Sequence, residues 1–258
     1  YLKKMKKRIL GVLNIKDNNV VQSFGYSNFL PQGRIEDFVE NLNRWGVDEI
    51  LVNDIDRSKK SLGPNIELLS KISNLKINTP IIYAGNINNA EDAINAIKNG
   101  ADRIVLGNLF FKNFDEIKNI SNALGSQALI VSLSLIVKNN QIYMNNYVDK
   151  KVFKFDKKKI VLLKNYISEL LLIDTKNEGY EKSFNQNLLK KIIKMKLGIP
   201  KILFGGISDS GQITKLTYSK NVSAIAIGNF LSYKEHAYQK IIAKFLNKKF
   251  RREFYEKY

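Results

Sequence analysis

Short apolar runs alternate with amphipathic stretches along the whole chain. Runs bounded by Gly, Pro, Asn or Asp predict strands over residues 8–14, 49–54, 80–85, 103–107, 127–134, 169–174, 201–205 and 223–228. Between them, apolar residues recur at spacings of three and four, as in Ile35, Phe38, Val39 and Leu42 or Ile192, Ile193 and Leu197, and these predict helices. Asn89, Asn113 and Asp209 stand where N-caps belong. Strands that each precede a helix imply parallel strands joined by crossovers. Two connections are longer. Residues 16–33 form a polar loop with Gly25 and Gly33, expected as a lid, and residues 137–155 alternate around Asn145-Asn146 as a β-ribbon would.

Four of the strands end in one phrase, an apolar run closing on a small residue before a helix. These are Pro80 to Gly85-Asn86, Arg103 to Gly107-Asn108, Pro200 to Gly205-Gly206 and Ala224 to Gly228-Asn229. Gly85 and Gly205 lie 120 positions apart, and Gly107 and Gly228 lie 121 apart. The chain therefore reads as two similar halves, about 1–124 and 125–246, followed by a basic tail over 247–258. With 258 residues and no linker-like stretch, the expectation is one α/β domain, a (β/α)₈ barrel.

In such a barrel, sites sit where strands end and helices begin. Gly205, Gly206, Gly228 and Asn229 fit the phosphate site that strands seven and eight often form, and Gly85 with Gly107 would make a pseudo-symmetric second one. Glycines also end strands for steric reasons. A ligand with a phosphate at each end would suit the pair. At the opposite ends of the strands, Arg8, Glu49, Arg103 and Glu169 share the period-two faces of Leu10, Leu51, Val105 and Leu171. If those faces point inward, two charges of each sign close the barrel bottom as a ring; otherwise they are solvated strand ends.

Composition narrows the chemistry. Cysteine is absent and His236 is the single histidine, so disulfides, thiolate sites and a histidine-based metal centre are excluded, and no cofactor is called for. No apolar stretch is long enough to span a membrane, and a cytoplasmic location is expected. The net charge of +18 could serve a polyanion. Its lysines are spread along the chain and rarely interleave with aromatics, except from Lys248 to Tyr255, which favours ordinary solvated helix faces over a nucleic-acid partner. Trp45 reads as packing of the first helix on the barrel, and His236 as a surface or packing residue of the last helix. Lys16 and Asp17 border the lid without a fixed role.

At these residues the chain resembles the cyclase subunit of imidazole glycerol phosphate synthase. Lys7 to Asp17, Gly100-Ala-Asp-Arg-Ile-Val, Leu124 to Val131 and the repeated glycines carry the similarity, over residues 3–246. The resemblance implies a duplicated half-barrel that binds a two-phosphate substrate. It also implies a bottom that docks a glutaminase and passes ammonia inward. Arg8, Glu49, Arg103 (lysine in the family) and Glu169 fall on the family's gate, and Asp102 on an interface aspartate. The acid and base aspartates at the tops of strands one and five are Asn14 and Ser134 here, again 120 apart. Neither exchanges protons near neutral pH as a carboxylate does, and a positioned acid or base contributes roughly 10²–10⁴-fold. The family's lid lysine is Gln22. Ile173, Lys176 and Glu178 stand where the strand-six threonine and two aspartates belong. The expectation is a barrel that activates a glutaminase and relays ammonia without cyclising. In this it is similar to the cyclase-like proteins of surface-glycan loci, which work with a sugar amidotransferase. The alternatives are an active cyclase of histidine biosynthesis and a basic scaffold binding nucleic acid through residues 248–257.

Overall fold

The computed structural model describes residues 7–219, 221–233 and 236–243. The basic tail, and with it the stretch between Lys248 and Lys257, lies outside the described residues. Among the described residues, twelve strands form one sheet: β1 (Arg8–Lys16), β2 (Asn19–Phe24), β3 (Asn28–Gly33), β4 (Glu49–Asp54), β5 (Ile81–Ala84), β6 (Arg103–Leu106), β7 (Leu129–Lys138), β8 (Gln141–Asn146), β9 (Lys151–Lys154), β10 (Glu169–Asp174), β11 (Lys201–Phe204) and β12 (Val222–Ile227). Eight of them run parallel in the order β1-β4-β5-β6-β7-β10-β11-β12. Pairing of β12 with β1 and of β7 with β10 closes the ring. This is the (β/α)₈ barrel expected.

The helices that cover it are α1 (Ile35–Trp45), α2 (Ile55–Lys59), α3 (Ile66–Ser73), α4 (Ala90–Lys98), α5 (Leu109–Lys112), α6 (Phe114–Leu124), α7 (Lys157–Leu162), α8 (Gln186–Lys194), α9 (Ser210–Leu216), α10 (Asn229–Tyr233) and α11 (Ala237–Ala243). Asn89, Asn113 and Asp209 cap α4, α6 and α9, each accepting from a backbone N–H three residues on. Trp45 packs against the outer apolar layer, and His236 is exposed just ahead of α11.

Alternation divides the strand residues between two cores. Leu10, Val12, Leu51, Ile82, Val105, Ile130, Leu171, Ile173, Ile202 and Phe204 fill the barrel, whereas their neighbours pack outward against the helices. The inner faces are therefore the ones inferred from Arg8, Glu49, Arg103 and Glu169. The half-barrel repeat extends to buried polar contacts. Asn65 Nδ2 donates to Asp54 Oδ2 at 3.1 Å, and 120 positions later Asn185 N donates to Asp174 Oδ2 at 2.7 Å. Burial raises both carboxyls above the usual aspartate range.

The two long connections are both ribbons. β1 runs past the barrel rim, reverses at Asp17-Asn18 and returns as β2; β7 reverses at Asn139-Asn140 into β8. All four turn residues have left-handed backbone, with φ between 47° and 60°, which two-residue hairpins require and which Asn and Asp tolerate. The segment over 16–33, expected as a polar loop, is thus an antiparallel hairpin extending from β1. The second ribbon turns at Asn139-Asn140 and again at residues 147–150, just beyond Asn145-Asn146.

Candidate functional site

At the barrel bottom, Arg8 Nη1 donates to Glu49 Oε2 at 2.6 Å and Arg8 Nη2 to Glu169 Oε1. Arg103 reaches the same two carboxylates, Glu49 Oε1 at 3.1 Å and Glu169 Oε2 at 2.7 Å. Each guanidinium bridges both glutamates, so the four side chains form a closed ring, none more than 14 % exposed. Burial opposes the charge on Arg8 and on Glu169. The opposite charges around them prevail, so Arg8 is held above its ordinary pKa and Glu169 below its own.

Two serines complete the ring. Arg103 Nη2 donates to Ser168 Oγ at 2.7 Å, and the Ser223 hydroxyl contacts Glu169 Oε1. Ser223 lies at an irregularity where Lys201 pairs with Val222 but Ile202 pairs with Ala224, which aims its side chain toward the ring. Sequence reading did not single out either serine, although the 120-residue offset maps Arg103 onto Ser223. Asp102 is exposed beside the ring, and its Oδ2 accepts from Ile81 N at 2.7 Å, as Asp48 Oδ2 does from Ile9 N.

At the top, Asn14 and Ser134 stand on opposite strands of the ring of eight, both buried. Asn14 Oδ1 accepts from Asn53 Nδ2 at 2.8 Å, and Asn14 Nδ2 faces Glu178 Oε1 at 3.3 Å. Glu178 follows β10 and is only 1 % exposed. Its other oxygen accepts from Ser23 Oγ at 2.9 Å and from Tyr26 N at 3.3 Å. Burial outweighs these donors and pushes the carboxyl up to about 7.

The β2–β3 hairpin is thereby seated on the barrel mouth. Asn229 fixes it as well, accepting from Ser23 N at 3.1 Å and donating to Ser23 O at 2.7 Å. Gly179, at φ +87°, permits the approach, because a Cβ there would lie 2.0 Å from the Ser23 carbonyl oxygen. The hairpin tip inserts Tyr26 against the inner core, and the buried Tyr26 hydroxyl has no hydrogen-bond partner although Asn53 stands beside it. An orphaned hydroxyl of this kind costs about 1–3 kcal/mol.

The hairpin and Glu178 separate two clefts. The larger, about 690 Å³ out to its mouth, lies over β4 to β7 and is lined by Gly85, Asn86, Gly107, Asn108, Asn53, Ser132, Ser134, Tyr26 and Tyr147 among others. The smaller, about 310 Å³, holds Gly205, Gly206, Gly228 and Asn229 together with Glu178 and Glu181. The repeated glycines thus gather in pairs, one pair to a cleft. Helix termini offer less than the pattern suggests. At α4, Ala90 N already donates to Glu116 Oε1 at 3.0 Å and Asp92 N to Asn89 Oδ1 at 2.8 Å. Both hydrogen-bonding ends of the Asn229 side chain are taken by the hairpin. Gln22, which the resemblance matched to a lid lysine, is buried in β2, and Ile173 joins the inner core. Tyr26 and Asn53 are site residues that sequence reading passed over. The one signal for Tyr26 was an aromatic at the tip of a polar loop.

Among the described residues no cluster of three or more His, Asp or Glu could hold a metal ion, and no helix is long and apolar enough to cross a membrane.

Known proteins resemble this chain over nearly all of it. A family model described as "Histidine biosynthesis protein" matches residues 8–237. A protein of Vibrio vulnificus (strain YJ016) named "Putative imidazole glycerol phosphate synthase subunit hisF2" is 31% identical over 235 residues, covering 90% of this chain and 86% of that protein. The "Imidazole glycerol phosphate synthase subunit HisF" of Staphylococcus saprophyticus is 27% identical over 241 residues, with 90% and 92% covered. A second "hisF2" protein, from Campylobacter jejuni, is 29% identical over 209 residues, with 79% and 81% covered.

Proposed function

The chain belongs to the histidine biosynthesis protein family, and on that premise we propose that it is a cyclase-type barrel that docks a glutaminase and relays its ammonia without cyclising a substrate. The observation that carries this reading is the contrast between the barrel's two ends. The bottom has a complete ring of Arg8, Glu49, Arg103 and Glu169, whereas at the top Asn14 and Ser134 stand where the resemblance would put an acid–base pair. The interior supports it too. Above the ring lies an apolar layer that includes Leu10, Leu51, Val105 and Leu171, which neutral ammonia enters far more readily than ammonium. In this reading the ring is the gate, Asp102 belongs to the glutaminase interface, and the ammonia acceptor is delivered at the top with a sugar amidotransferase.

The test is glutamine hydrolysis by a co-expressed glutaminase, with and without this barrel. Stimulation is expected, and none would sink the proposal. Asp102→Asn keeps an oxygen for Ile81 N while removing the charge. It should weaken docking about tenfold with little change in thermal stability, as for loss of one charge-assisted contact.

One observation favours a second reading, an active cyclase: the Glu178 carboxyl lies 3.3 Å from Asn14 Nδ2, so a titratable group remains at the top of the first strand. Rescue of a histidine auxotroph would establish that reading. The relay proposal predicts no growth.

A further inference from the structure

The larger cleft has a chemistry different from the one its glycines suggest. Its polar walls are mostly uncharged, made by Asn53, Ser132, Ser134, Asn108 and the phenols of Tyr26 and Tyr147. Of its two charged lining residues, Asp54 already engages Asn65, and Lys59 is the sole basic one among the described residues. The N-terminus of α4, which would be expected to draw an anion, is already met by Glu116 and by its own cap, Asn89. For a doubly charged phosphate the cleft offers a single cationic side chain, Lys59.

The same walls suit a ring of hydroxyl groups. Tyr26, Tyr147 and Phe29 supply flat apolar surface of the kind that covers the C–H faces of a sugar, while amides and hydroxyls supply donors and acceptors together. One group is conspicuously unused. The Tyr26 hydroxyl is buried and unpaired on this wall, so a ligand oxygen placed there would complete a bond that the protein leaves open. Burial, with the Glu178 carboxyl nearby, keeps that phenol protonated and therefore a donor.

We propose that the larger cleft binds a neutral, polyhydroxylated ligand of the sugar class, recognised by the Tyr26 hydroxyl together with Asn53 and Ser134. Naming this ligand as the ammonia acceptor rests on the relay reading above, whereas its binding does not, since the cleft is built from this chain alone.

The experiment uses the full chain without a glutaminase. Saturation-transfer NMR and calorimetry are run with a panel of neutral free hexoses and N-acetylhexosamines, with ribose 5-phosphate and inorganic phosphate as the anionic arm, on wild type and Tyr26→Phe. A neutral sugar should bind, and Tyr26→Phe should weaken it about tenfold, the loss expected for one hydrogen bond in a dry site. The variant should melt no lower than wild type, because the orphaned hydroxyl is gone. Displacement of the bound sugar by inorganic phosphate would overturn the proposal. So would sugar binding indifferent to Tyr26→Phe, or no sugar binding by a folded wild-type chain. A barrel that binds sugar yet fails to stimulate any glutaminase would refute the relay and leave the cleft's assignment standing.

Discussion

Replacing Arg103 with methionine removes one of two cations from a ring that holds two buried carboxylates. Glu49 would lose a partner at 3.1 Å and Glu169 one at 2.7 Å, and both would be left to Arg8. Breaking a buried ion pair by deleting one member costs roughly 3–5 kcal/mol, since the stranded charge stays desolvated. The Arg103 side chain retains 13% exposure, so the lower end applies. A loss of about 3 kcal/mol lowers the Tm of a chain this size by about 6–12 °C. Acid–base behaviour provides a second readout. In the wild type, Glu169 is held below its ordinary pKa, so its stabilisation is present above the unfolded value and is lost as pH falls through the folded one. In the variant, one carboxylate is in excess and its folded pKa should rise above the unfolded value. The variant should therefore gain more stability than wild type as pH is lowered from 8 to 5, beyond the gain that Glu178 gives both proteins. Adding Glu49→Leu restores neutrality and should recover about 1–3 kcal/mol relative to the sum of the two single losses. Urea or thermal unfolding of all four proteins at both pH values is the assay. A Tm loss under about 2 °C, a pH response like wild type, or strict additivity would refute the account of the ring as a coupled buried network.

Glu178 and its seat give two further tests. A folded pKa of about 7 against an ordinary 4.5 means that the folded state binds the extra proton, so stability is full below pH 4.5 and declines by about 3 kcal/mol as pH rises through 7. Glu178→Gln should flatten that decline between pH 5 and 8 in urea titrations, and an unchanged slope would show that another group titrates there. Gly179→Ala forces a Cβ against the Ser23 carbonyl at a left-handed position, and should cost at least about 2 kcal/mol. Limited proteolysis should then cut within residues 19–33 before the barrel unfolds, and equal resistance in both proteins would count against the seat described.

Much of the architecture was legible because its signals are local. Period-two alternation placed Arg8, Glu49, Arg103 and Glu169 on the inward faces, and eight strand starts with capped helices between them left few topologies besides a closed barrel. Glycines recurring about 120 residues apart marked the strand tops of both halves for the same reason. What escaped were contacts between parts of the chain that only barrel closure brings together. Ser23 meets Glu178 across 155 positions and Asn229 across 206, and no periodicity encodes such a meeting.

The sequence by itself therefore determined which residues face inward, where strands end, and that positions 14 and 134 carry an amide and a hydroxyl. Only the tertiary structure decided between a ring and solvated strand ends, and it completed the ring with Ser168 and with Ser223 at a register shift. It alone decided that a carboxyl from the loop after β10 comes to lie against Asn14, and that a tyrosine is pressed into the barrel mouth with its hydroxyl unpaired. The physical reason is that a residue's face depends on its immediate neighbours. Its partners, burial and protonation depend on which distant loops are brought over the same opening when β7 pairs with β10 and β12 with β1.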